Sequence, residues 1–98
     1  MFDKMKQLME MQKKMQEMKR QLENTVFEVD SSNGMVKIAM NGSQEIKEVR
    51  IQANLKEIES SVLEDSVKDA VSKAIKRSQA VAAEKMKDVT GLSLPGLV

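Results

Sequence analysis

Apolar positions along the first 23 residues repeat with alternating steps of three and four. Leu8, Met11, Met15, Met18 and Leu22 form this series, the spacing of a coiled-coil seam, and Met1 extends it backwards by one heptad. The pattern predicts a helix over 1–23. Asp3, Glu10 and Glu17 recur every seven residues beside it, and so do Lys6, Lys13 and Arg20. Each acid precedes a base by three residues, so each pair can interact on the helix surface. About three heptads are short for a free-standing coiled coil, so the seam requires cover from another helix of the same domain or dimer. Met5 and Met9 lie off it and are expected to be more exposed.

The period then changes from helical to two. Residues 24–52 read as three strands of an antiparallel meander. "TVFEVD" is β-branched and aromatic, and "SSNG" is a turn. In "MVKIAM", Val36, Ile38 and Met40 share one face, opposite Met35, Lys37 and Ala39. Asn41-Gly42 is a hairpin signal, because both residues tolerate positive φ. "SQEIKEVRI" supplies the third strand through Val49 and Ile51. A sheet this small needs a helix or a second copy over one face.

Residues 53–60 read as a loop with a possible helical turn, and Ser61 with Glu64 as a capping box opening a second long helix over 61–88. Its apolar positions are Leu63, Val67, Ala70, Val71, Ala74 and Ile75. Ala70, Ala74, Ser78 and Ala82 place a small residue at every fourth position, which lets another helix approach closely or reflects helix propensity alone. The uncharged tail 89–98, with Gly, Ser and Pro, is expected to be irregular. The expectation is one α+β domain over 1–98, in the order α-β-β-β-α.

Composition narrows the chemistry. With no Cys and no His among 98 residues, disulfides, thiolate and imidazole catalysis and the usual zinc sites are excluded. The four glycines form no phosphate loop, and a serine nucleophile would have no histidine base. No enzyme, cofactor, metal or small-molecule substrate is expected. No apolar run reaches membrane-spanning length, and no signal peptide is apparent. Two aromatics are too few for base-stacking platforms.

Charge is balanced overall, with 16 bases and 15 acids, but it is sorted along the second helix. Residues 57–69 carry five acids and one base; residues 70–87 carry five bases and one acid. The helix macrodipole accounts for this order; a basic surface at the far end of the helix accounts for it equally.

Three stretches carry a resemblance: "MKQLMEMQKKMQEMKRQL", "GMVKIAMNGSQEIKEVRI", and "LEDSVKDAVSKAIKRSQAVAAEKMKDVTG" with the closing "LPG". Together they resemble the YbaB/EbfC family of bacterial nucleoid-associated proteins over nearly the whole chain. Gly34, Val36, Ile38, Asn41 and Gly42 match in the hairpin; Leu63, Glu64, Asp65, Val67, Ala70, Ala74, Glu84, Lys85 and Met86 match in the helix. "QANL" stands where family members often have Asp-Pro, and the first helix starts almost at Met1. The resemblance implies a homodimer with projecting paired helices that binds double-stranded DNA without catalysis, in the cytoplasm and on the nucleoid.

The expected mechanism is phosphate neutralisation by Lys6, Lys13, Lys14, Lys19 and Arg20 on the first helix and Lys73, Lys76, Arg77, Lys85 and Lys87 on the second. Expected packing or dimer positions are Leu8, Met11, Met15, Met18, Leu22, Val36, Ile38, Met40, Val49, Ile51, Ala70 and Ala74. The alternative is a helix-mediated interaction module without nucleic acid, comparable to a prefoldin-like chaperone subunit. Methionine's adaptability suits that reading. A membrane-surface helix is a weaker third, since the first helix lacks Trp and has Phe2 as its sole aromatic.

Overall fold

A computed structural model describes residues 2–90. Helix α1 (Phe2–Asn24) leads into strands β1 (Val26–Asp30), β2 (Val36–Asn41) and β3 (Ile46–Ile51), and helix α2 (Ser60–Thr90) follows. The strands form one antiparallel sheet in the order β1-β2-β3. The α-β-β-β-α order is the one the periodicity predicts. Helix α2 runs through residues 89 and 90, which the sequence pattern gives to the tail; residues 91–98 lie outside the described residues.

Register decides which face is apolar. Val36 pairs with Ile51, Ile38 with Val49 and Val29, and Met40 with Ile46 and Phe27. Opposed residues share a face, so eight apolar side chains lie on one side. Helix α2 crosses that side over β1 and β2. Val36, Ile38, Met40, Ala70 and Ala74 form the buried core, flanked by Phe27, Val29, Met35, Leu63 and Val71. Met35 therefore does not take the outer face that strict alternation assigns it. It precedes β2, and its sulfur lies 3.8 Å from the Ser66 hydroxyl on α2.

The small-residue stripe has in part a different use from the one the spacing suggests. Ala70, Ala74 and Ser78 are buried where α2 packs on β2, with Ser66 continuing the row, while Ala82 is half-buried where α2 runs beside α1. The Ser78 hydroxyl donates to the Asn41 carbonyl at 3.0 Å, binding helix to strand.

The second hairpin also differs in detail from its sequence signal. Asn41 and Glu45 pair through Asn41 N–H to the Glu45 carbonyl (3.1 Å), and Gln44 N–H closes the turn onto the Asn41 carbonyl (3.2 Å). The left-handed residue is Gln44, at φ 63°, rather than Asn41 or Gly42. This is a three-residue loop with its αL position last. Gly42 is required for proximity instead. A Cβ there would lie 2.8 Å from Leu22 Cδ2, 3.1 Å from the Leu22 carbonyl oxygen and 3.2 Å from Leu22 Cα.

The entry to α2 is shifted as well. The Glu59 carbonyl accepts from Val62 and Leu63 N–H (3.1 and 3.3 Å), so the helix opens ahead of Ser61 and the Ser61–Glu64 capping box does not form. Asn54 organises the preceding turn, its side chain accepting from Lys56 N–H at 3.1 Å.

These contacts predict opposite effects at neighbouring turn positions. Gly42→Ala should destabilise by about 1–3 kcal/mol, because part of the clash is with Leu22 backbone. Gln44→Gly should stabilise by up to about 1 kcal/mol by releasing a left-handed non-glycine residue. Urea denaturation of both variants checks the pair.

Candidate nucleic-acid interface

The molecule is long, with extents of 68 × 24 × 16 Å and a radius of gyration of 18.3 Å. A compact chain of this length would have a radius near ~13 Å. The excess is an arm. Asn41 and Gly42, at the end of β2, hold the C-terminal end of α1. Asn41 Nδ2 donates to the Glu23 carbonyl at 3.1 Å, and Gly42 N–H donates to the Leu22 and Thr25 carbonyls at 2.9 and 3.1 Å. Since α2 meets the same point at Ser78, its remaining turns run outward alongside α1. Met18 and Leu22 on α1, and Val81, Ala82, Lys85 and Met86 on α2, are half-buried there.

Nearer the tip, α1 is bare. Leu8, Met11 and Met15 are 63%, 63% and 53% exposed, so among the described residues the predicted seam is closed only at Met18 and Leu22. Met5 and Met9 are equally open, at 62% and 59%, so exposure does not separate them from the seam.

The cations sort into engaged and unengaged groups. Lys73 Nζ donates to the Ser32 hydroxyl (2.8 Å) and lies 3.2 Å from the Asp69 carboxylate. Arg77 sits over the Phe27 ring, 5.7 Å from its centroid. Arg20 is held by Glu17, with its Nε 3.1 Å from that carboxylate. Among the described residues, Lys6, Lys13, Lys14, Lys19, Lys76, Lys85 and Lys87 form no ion pair. Six of these seven bases lie on α1 or on the outward turns of α2 and on the flank of the arm; Lys76 lies on α2 just before the arm begins. Helical spacing sets Lys6, Lys13 and Arg20 away from the half-buried Met18 and Leu22.

The outer sheet face offers no comparable surface. Glu28 and Glu48 alternate there with Lys37 and Arg50 around Ala39. Lys37 pairs with Glu28 at 3.6 Å and Arg50 with Glu48. A cleft at the opposite end of α2, lined by Ser32, Asn33, Val62, Asp65, Ser66 and Asp69, carries two carboxylates and would repel phosphate. Among the described residues no acidic group is arranged to hold a metal ion. No described helix is long and apolar enough to cross a membrane.

Sequence spacing does not reveal the Asp69 junction. Its carboxylate accepts from Ser32 N–H at 2.7 Å, fastening the β1–β2 turn to α2, while Asn33 Nδ2 donates to the Ser66 hydroxyl at 2.6 Å. The Ser32 amide, then the Lys73 ammonium, holds the Asp69 carboxyl below its ordinary range. Arg20, then Gln21, does the same for Glu17.

This geometry accompanies a clear relationship to known proteins. Residues 1–93 match the YbaB/EbfC DNA-binding family, and the chain belongs to that family. A nucleoid-associated protein of Dictyoglomus thermophilum is 40% identical over 96 residues, covering 96% of this chain and 92% of that protein. One from Legionella pneumophila (strain Corby) is 37% identical over 92 residues, covering 93% and 82%. The crystal structure of an uncharacterized protein from Helicobacter pylori superposes with a TM-score of 0.67 over 87% of this chain and 98% of that one. At 21% identity it shows a shared fold. The family and the relatives' names denote nucleoid-associated DNA-binding proteins, not enzymes.

A depressed carboxyl pKa means a contribution to stability that is present at neutral pH and lost as pH falls through the folded-state value. The Asp69 side chain should therefore titrate below a model-peptide aspartate in an NMR pH series. Asp69→Asn should abolish that component of acid sensitivity and free the Ser32 amide for faster hydrogen exchange.

Proposed function

We propose that the protein is a non-enzymatic nucleoid-associated protein that binds double-stranded DNA as a homodimer, mainly through lysine contacts to phosphates. The observation that carries the reading is the sorting of cations. Among the described residues the lysines of the arm form no ion pair, whereas Lys37 and Arg50 on the outer face of the sheet are matched by carboxylates. An ammonium without an internal carboxylate can exchange counterions for phosphate at little electrostatic cost. Lys6, Lys13, Lys14, Lys19, Lys85 and Lys87 are the favoured contacts, with Lys76 beside them. Lys73, Arg77 and Arg20 hold the fold first and contribute less. Near-neutral net charge confines binding to this surface and makes it salt-sensitive.

The dimer reading rests on a second surface. β3 is left uncovered by α2, and its Ile46, Val49 and Ile51 are 52%, 51% and 46% exposed on the same face as the core. Val67 and Ile75 of α2 are 38% and 36% exposed beside it. A second copy seated there would complete the core on a two-fold axis, and would set two arms on one particle. Duplex DNA spans such a pair, whereas a single arm presents few phosphate contacts.

Two measurements test this. In a duplex-DNA mobility-shift titration, binding should fall steeply between low and moderate salt. Lys13→Ala/Lys85→Ala should weaken it several-fold, while Lys73→Ala should have a smaller effect on affinity and a larger one on stability. No shift at low salt by a folded dimer would refute DNA binding and favour a protein-interaction module. Separately, Val49→Glu should convert a dimer to a folded monomer in light scattering; an unchanged mass would place the dimer contact elsewhere.

A further inference from the structure

The first turns of α1 carry apolar side chains on the side of the helix that faces away from α2. At about 100° of rotation per residue, Met9 stands opposite Met18 and Phe2 nearly opposite Leu22, the half-buried positions beside α2. Phe2, Met5 and Met9 fall within one sector of about 60°. Phe2 is 88% exposed, the most open of the large apolar side chains among the described residues, and Met5 and Met9 are open beside it. None of the three belongs to the Leu8, Met11, Met15 seam, so a partner covering that seam leaves them in water.

The same side of α1 carries its basic stripe. Lys6 and Lys13 lie within about 40° of Phe2 around the helix, and among the described residues neither forms an ion pair. Phe2 stands about 30 Å from Leu22 along the helix axis, toward the end of the arm. We propose that Phe2, backed by Met5 and Met9, is an apolar wedge that enters a base step of duplex DNA while Lys6 and Lys13 hold the flanking phosphates. A ring inserted between partly unstacked bases exchanges water for base contact and kinks the duplex. A wedge needs one such group, whereas a single-strand platform needs several. Pyrimidine–purine steps unstack most readily, and they are the steps this wedge selects. The inference rests on the DNA-binding reading above and adds how the arm deforms its ligand.

Charge and shape favour duplex DNA over other surfaces that accept an exposed ring. A helix lying on a lipid surface needs a broad apolar face along its length. Here the sector is narrow, and beyond Met9 it continues as Gln12, Gln16 and Arg20, so only its first turns are apolar. The surface assigned to a second copy lies on β3, away from this side of α1. Because Phe2 is so exposed, replacing it removes little internal packing, and its variants report on contact rather than on folding.

The test uses the full chain and a short duplex carrying 2-aminopurine at its TA steps, a base whose fluorescence rises when it unstacks. The wild-type protein should raise the signal on binding. Phe2→Ala should abolish that rise and weaken binding roughly fivefold or more, the lower end of what one base–aromatic stack contributes, with its helical circular dichroism unchanged. Phe2→Leu should keep part of both effects. The slope of log affinity against log salt should be unchanged in Phe2→Ala and shallower in Lys6→Ala/Lys13→Ala, because only the lysines release counterions. A wild-type complex without the fluorescence rise, or a Phe2→Ala complex that keeps it at full affinity, would overturn the wedge and leave DNA binding intact. No duplex binding by the wild-type protein at low salt would overturn both. Loss of cosedimentation with phosphatidylglycerol vesicles in Phe2→Ala, with duplex binding unchanged, would assign the ring to a lipid surface instead.

Discussion

One buried amide sets the geometry of this protein. Asn41 is fully enclosed at the end of β2. Its Nδ2 donates to the Glu23 carbonyl and the Glu45 carboxylate, and its Oδ1 accepts from Ser43 and Glu45 N–H. Its backbone carbonyl receives Ser78 from α2. A single residue thus ends α1, closes the second hairpin and fixes the helix crossing. Every donor and acceptor of the side chain is used, so removing it would break four hydrogen bonds at once, each worth about 0.5–1.5 kcal/mol. Gly42 completes the junction by allowing the Leu22 backbone to come close. Without this point α1 would have little to orient it, since it has no buried residue of its own.

That junction separates two regions of different chemistry. The body buries the apolar face of the sheet under small residues of α2 and sets ion pairs on its outer face, one across β1 and β2 and one within β3. The arm has little core, and among the described residues its lysines form no ion pair. Electrostatics alone would not make a protein of net charge +1 a DNA-binding protein. What matters is that Lys37, Arg50 and Lys73 are matched by carboxylates on the body, while a cluster of lysines without ion pairs projects on the arm. The acidic stripe of α1 moderates this field, and Glu17 withdraws Arg20 from it.

Element types were legible because period and composition agree in each segment: heptad spacing in α1, alternation in β2, Asn-Gly punctuation between strands. What escaped the sequence depends on long-range placement. The Gly42 signal was real, but its cause is the approach of Leu22, which no local pattern contains. The small-residue stripe correctly marked a close approach, yet only the topology makes the neighbour a strand at Ala70, Ala74 and Ser78. For the candidate site, spacing identified the Lys6, Lys13, Arg20 stripe but could not tell that Arg20 is engaged. Lys73 and Arg77 looked equivalent to Lys85 until β1 was placed beneath them, because Ser32 and Phe27 lie more than forty residues away in sequence. The seam of α1 read as packed throughout, since heptad spacing states what must be covered and not how far its neighbour extends.

The central claim is that the arm, and not the sheet, faces DNA. Amine-reactive footprinting read by mass spectrometry tests it most directly, comparing the free protein with its complex on a duplex at low salt. The account predicts protection of Lys6, Lys13, Lys14, Lys85 and Lys87, with Lys37, Lys47 and Lys56 modified equally in both states. Protection concentrated on Lys37 and Lys47, with the arm lysines unchanged, would contradict it.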